Sequence, residues 1–198
     1  MKRRWIAVLL LSSAACGSSS DAQVAVVESG SSRGGGLIAV AARVRAEVTS
    51  GPIRLRITFH DGDGGRRDGT DDSLPYCPAR TDCWWAASFP LDQFDGATAI
   101  RSARVRVLGT PPPYGGPSRV DRFDVMKAGD GRIRGTAPGD EGFVYLVGFD
   151  RRIRGGVFTS VVPADGRRVS FAPSTSRLLG PDAELRAYFY PVRVPRGG

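Results

Sequence analysis

The sequence predicts an all-β fold, a single antiparallel β-sandwich, immunoglobulin-like or jelly-roll-like, of about eight to nine strands. Three observations lead there. Short runs alternate apolar and polar residues with the period of a strand. Glycine and proline, 26 and 14 of the 198 residues, separate these runs at close intervals. Beyond the N-terminus no segment sustains an apolar stripe of helical period, so no substantial helix is expected there.

The chain opens with Lys2, Arg3 and Arg4, an apolar run from Trp5 to Leu11, then Ser12-Ser13-Ala14-Ala15 and Cys16. Charged start, short apolar centre and small residues before a cut make residues 1–15 a signal peptide. The apolar run falls well short of the ~20 residues needed to cross a bilayer. With cysteine directly after Ala15, the segment resembles the signal of a bacterial lipoprotein precursor, although Ser13 stands where such signals carry an aliphatic residue. The resemblance implies that Cys16 is lipidated and becomes the new N-terminus. It also implies that the protein is held in the cell envelope, outside the cytoplasm, with the membrane as partner through its lipid. Cleavage after Ala15 or Ala22 without lipidation is the alternative, and gives a soluble secreted protein. Residues 16–35 read as a flexible Ser/Gly-rich tether, interrupted by the Val-rich piece Gln23–Val27, an added edge strand or an unstructured stretch.

The domain is expected over 36–198. Val40, Ala42, Val44, Ala46 and Val48 share one face of a strand; Arg43, Arg45 and Glu47 share the other. After Ser50-Gly51, Ile53, Leu55, Ile57 and Phe59 alternate with Arg54, Arg56 and Thr58. Two such runs across a two-residue link predict a β-hairpin, with Pro52 at the first position of its strand. In that register Glu47 faces Arg54, and Arg45 faces Arg56. Further strands are expected over Ser102–Leu108, Val120–Met126, Arg132–Gly135, Phe143–Phe149, Val157–Val162, Arg168–Phe171 and Leu185–Val194. Phe143–Val147 is apolar on both faces, as a central strand is. Leu91–Asp95 has room for one helical turn, and Pro111-Pro112-Pro113-Tyr114 reads as a stiff connection.

Cys77 and Cys83 are the two cysteines left if Cys16 carries lipid. A disulfide between them fits an extracytoplasmic compartment. A zinc site fits poorly, since His60 is the only histidine. With Lys2, Arg3 and Arg4 gone with the signal, 25 basic residues face 20 acidic, a net charge of +5. Lys2 and Lys127 are the only lysines. The basic residues are dispersed along the chain and the compartment is wrong, so no nucleic-acid partner is expected.

His60–Trp85 holds the candidate chemistry. Asp61, Asp63, Asp68, Asp71 and Asp72 crowd a Gly-rich stretch that could supply oxygen ligands to calcium. Asp61-x-Asp63 with Asp72 at the twelfth position partly resembles an acidic calcium loop, although Arg66 stands where the turn glycine belongs. A solvated turn is the simpler reading, because Asp-Gly occurs three times there. Trp84 and Trp85 are candidates for stacking on a sugar ring or for core packing beside the disulfide. Arg45 and Arg56, with Arg104 and Arg106 repeating the alternation, are candidates for an arginine face that binds acidic headgroups or envelope polymers. His60 is the one residue around which a hydrolytic site could be built; no Gly-x-Ser-x-Gly turn nominates a serine. The expected role is therefore non-catalytic: a binding module for glycan or envelope polymer, with calcium as its one candidate cofactor. The alternatives are an accessory subunit docking to another envelope protein, or a hydrolase using His60.

Overall fold

A computed structural model describes residues 23–116, 119–139, 141–161 and 167–192. The signal peptide and Cys16 lie outside the described residues, as do Val162 and the last residues of the final expected strand. Within them the chain is all-β and antiparallel, with thirteen strands and one short helix.

Four sheets carry the architecture. The first joins β1 (Val24–Gly34), β2 (Leu37–Ala46) and β5 (Asp82–Pro90) in the order β1-β2-β5. The second joins β3 (Ile53–His60), β4 (Arg66–Leu74) and β6 (Ser102–Val107) in the order β4-β3-β6. The third, β11-β10-β13-β7, is built from β7 (Asp121–Phe123), β10 (Gly142–Asp150), β11 (Arg152–Val161) and β13 (Glu184–Pro191). The fourth, β12-β9-β8, is built from β8 (Val125–Lys127), β9 (Ile133–Thr136) and β12 (Arg168–Phe171).

The sheet β1-β2-β5 lies between two others, which is why β2 and β5 are buried on both faces over most of their length, whereas β1 at its edge is only half-buried. Ile57 and Phe59 of β3 and Val40, Val44 and Trp85 belong to one core with no exposed surface. Phe59 meets Phe89 of β5 edge-on at 5.8 Å. On the opposite face, Ala41 and Ala86 lie under Gly156 of β11, and Trp84 stacks on Tyr188 of β13 at 5.0 Å. A second core, with Ile133, Leu146, Val169, Leu179 and Phe189, fills the far side of the third sheet. The fourth sheet and the helix α1 (Pro173–Leu179) cover it. Proline at the first turn suits that helix, where its missing N–H has no helical partner to lose.

Two expectations are corrected. Residues 24–34, assigned to the tether, form β1, paired along β2 from Val24↔Ala46 to Gly34↔Leu37. The link at Ser50-Gly51 is no hairpin: β2 pairs with β1 and β5, while β3 pairs with β4 and β6. Both alternations are real, but each apolar face belongs to a different sheet, and the chain crosses from one to the other. The crossing is pinned from both sides. Ser50 exchanges backbone hydrogen bonds with Cys77 (3.0 and 2.7 Å), and the Gly51 N–H donates to the Pro112 carbonyl at 3.0 Å. Tyr114, at the end of the proline run, stacks on Tyr76 at 4.9 Å.

The third sheet sits so close to the first that side chains would not fit between their backbones at some points. A Cβ at Gly30 would lie 1.8 Å from the Ile153 carbonyl oxygen, and one at Gly156 would lie 2.5 Å from Ala86 Cβ. Glu28 ties the same seam, accepting from the Ile153 N–H at 3.1 Å.

Gly30→Ala is expected to destabilise the domain by about 3 kcal/mol or more, because the new methyl must displace backbone rather than a side-chain tip. Urea denaturation measures it; an unchanged midpoint contradicts the close approach. Tyr190, wholly buried, accepts a hydrogen bond from the Trp84 N–H at 2.6 Å. Tyr190→Phe leaves that buried donor without its partner, with an expected loss of about 1–3 kcal/mol in the same measurement.

Candidate functional site

The fold disperses the residues that the sequence crowds together. Cys77 and Cys83 are joined by a disulfide, with Cα atoms 5.7 Å apart, which points to an oxidising, extracytoplasmic compartment. Next to it, Trp85 is fully buried and Trp84 nearly so. Both tryptophans are core, and neither offers a face to a sugar. The middle position of their sheet explains this, since a strand covered on both faces buries odd and even residues alike.

The aspartates do not converge. Asp61 closes its own turn, its Oδ1 accepting from the N–H groups of Asp63 (3.1 Å) and Gly65 (2.7 Å). Its Oδ2 is held by Arg67 at 2.7 Å. Burial works to raise the Asp61 pKa, but the Gly65 N–H, the Arg67 guanidinium and the Asp63 N–H outweigh it and hold the carboxyl below its ordinary value. Asp68, Asp71 and Asp72 stand on β4, a strand rather than the irregular loop expected, and alternation divides them. Asp68 and Asp72 lie opposite Phe59 and Leu55, on the side of β3 that faces the core, whereas Asp71 lies opposite Arg56. Asp63 is exposed. Among the described residues no three of His, Cys, Asp or Glu form a group able to hold a metal ion. The calcium site read from the sequence therefore does not fit this arrangement.

His60 ends β3 and donates from Nδ1 to the Gly64 carbonyl at 3.0 Å, closing the same turn as Asp61. Arg45, expected opposite Arg56, is on another sheet and pairs with Asp82 at 2.8 Å.

What the structure does assemble is a cationic face on β4-β3-β6. The core-facing residues of β3 are Ile53, Leu55, Ile57 and Phe59, so Arg54 and Arg56 point outward. Arg104 and Arg106 of β6 do the same, between buried Ala103 and Val105. Arg56 is the register partner of Arg106, and Thr58 that of Arg104. One carboxylate enters this array: Asp71, 2.9 Å from Arg56. Arg54, Arg104 and Arg106 have no ion pair among the described residues and are exposed. Neighbouring strands are about 4.8 Å apart, and alternate residues along a strand about 7 Å, so the four arginines form a staggered row, with Arg56 and Arg106 opposed at its middle and Arg54 and Arg104 at its ends. Like charges on directly opposed positions destabilise a sheet; at Arg56 opposite Arg106 the ion pair with Asp71 offsets part of that repulsion. The alternation of arginines was visible in the sequence, but the partner strand was not, because the false hairpin put Arg45 where Arg106 belongs.

Comparison of the chain with protein-family models, with curated proteins and with solved structures finds no match.

Proposed function

We propose that this chain is a non-catalytic binding domain of the bacterial cell envelope that holds an anionic polymer on the arginine face of β4-β3-β6. The observation that carries the reading is the set Arg54, Arg56, Arg104 and Arg106 on one solvent-exposed sheet face, countered there by Asp71 alone. Arginine suits this task, since its planar guanidinium donates two parallel hydrogen bonds to a carboxylate or phosphate and remains charged at every physiological pH. A polymer with repeating acidic groups engages several such forks at once, so modest individual contacts add to useful affinity.

In the same reading Cys16 carries the lipid. With β1 beginning at Val24, residues 17–23 are all that separate the anchor from the domain. A chain spans at most about 3.5 Å per residue, so the domain works close to the membrane surface rather than at the end of a long tether. Cys16→Ala is expected to move the protein from the membrane fraction to the soluble fraction; equal membrane association of both forms removes the lipid anchor.

The binding test uses the oxidised protein with polygalacturonate and with a poly(glycerol phosphate) as probes, followed by calorimetry at increasing salt. The reading expects affinity to fall steadily as salt screens the face. Replacing Arg54, Arg56, Arg104 and Arg106 together by Ser should weaken binding by roughly tenfold or more while the melting transition is retained. Salt-insensitive binding, or wild-type affinity in the quadruple variant, sinks the proposal.

A further inference from the structure

A second site, independent of the arginine face and opposite to it in charge preference, lies where β4 meets the third sheet. There a cavity of about 380 Å³ is lined by Asp72, Ser73, Pro75, Phe143, Tyr145 and Phe158. Three of the six are aromatic and one is a carboxylate; no arginine or lysine is among them. The rings form one cluster. Tyr145 and Phe158 are register partners on β10 and β11 with centroids 5.4 Å apart, and Phe143 lies 5.8 Å from Phe158. Tyr145 is backed by Tyr190 in an edge-on contact at 5.2 Å, so the floor of the cavity is fixed by the core.

Two features of this wall bear on what it could hold. Phe158 is 45% exposed, one of the few large apolar side chains left open to water. Asp72 has no ion pair among the described residues, in a chain with 28 basic residues to 20 acidic. Its neighbour Asp71 is paired with Arg56; Asp72 shares the lack of such a partner with Asp63 and Asp68 among the described residues. Asp72 instead accepts from the Ser73 N–H at 2.7 Å and faces the aromatic cluster. After burial, its charge is the further influence that raises the Tyr145 phenol above its ordinary range.

We propose that this cavity binds an organic cation, an alkylammonium or trimethylammonium group, with its methyl or methylene surface against Phe143, Tyr145 and Phe158 and its charge answered by Asp72. Ring faces attract cations through their quadrupoles, and the attraction grows as water is excluded. The carboxylate rejects anions. The cavity falls within the size range of small-molecule sites and admits a cationic head group. A neutral sugar would find the stacking surface here, but few donors to meet its hydroxyls.

The test compares choline with 3,3-dimethylbutan-1-ol, its uncharged carbon isostere, on the oxidised protein. Upfield displacement of the methyl proton resonances and saturation transfer from protein to probe report binding over the rings. Choline is expected to bind and the isostere not to. Asp72→Asn and Phe158→Leu, both at exposed positions, should each weaken choline about fivefold or more. An N-acetyl-trimethyllysine amide, tested alongside, distinguishes a cation borne on a peptide from a free one; tighter binding of either supports the site. Equal binding of choline and its isostere, choline affinity unchanged by Asp72→Asn, preferential binding of a neutral methyl glycoside, or no binding of any cation overturns the proposal. The comparison on the unaltered protein decides the matter even if a variant fails to fold.

Discussion

The rest of the molecule depends on the near-contact of two backbones, β11 of the third sheet against the sheet β1-β2-β5. Packed sheets normally stand about 10 Å apart, with side chains interdigitating between them. Here Gly30, Gly155 and Gly156 meet Ile153, Ala39, Ala41 and Ala86, so the spacing is set by residues with little or no side chain. That seam leaves room alongside for larger groups, and Trp84, Phe149 and Tyr188 occupy it. Small residues in the seam and large ones at its flank are two halves of one solution. Neither could be changed without the other.

With the third sheet seated, β2 and β5 of the first sheet are covered on both sides and offer a ligand no face. The chemically distinctive surfaces are therefore outer ones: the solvent side of β4-β3-β6, and the junction where β4 overhangs the third sheet. The former presents unpaired guanidinium groups, the latter aromatic rings and an unpaired carboxylate. The two surfaces share β4, yet the alternation of strand residues keeps their charges apart: Asp71 points with Arg56 of β3 one way, Asp72 the other.

Much of this architecture was legible in the sequence. β6, β9, β10, β12 and β13 lie where the alternation of apolar residues placed them, and the disulfide joins the two cysteines that cell compartment and spacing selected. The expected strand Val120–Met126 is divided at Asp124 into β7 and β8, which pair in different sheets. Two strands were missed, and β1 was anticipated only in its Val-rich start, for distinct reasons. β1 is rich in Ser and Gly, a linker composition, because the seam demands small residues. β4 carries Arg-Arg-Asp-Gly-Thr-Asp-Asp, with no apolar alternation, because it lies at the end of its sheet. β5 is buried on both faces, so its Trp-Trp-Ala-Ala shows no period of two. Pairing was the harder inference. Nothing local distinguishes a hairpin at Ser50-Gly51 from a crossing held by Cys77 and Pro112, since the contacts that decide it are distant in sequence. The arginine face was therefore half visible: the alternating arginines could be read, but one of those expected on it, Arg45, lies on another sheet.

The acidic character of β4 acquires a different meaning once that strand is seen to terminate its sheet. A terminal strand exposes unpaired N–H and C=O groups along its free side and so invites another chain to add to it. Asp68, Asp71 and Asp72, with Arg66 and Arg67, make such an addition costly, because any incoming strand must bring its backbone against a row of fixed charges. Residues that look from the sequence like a place to hold a metal thus disfavour the edge-to-edge pairing of this basic, β-rich domain with its own copies.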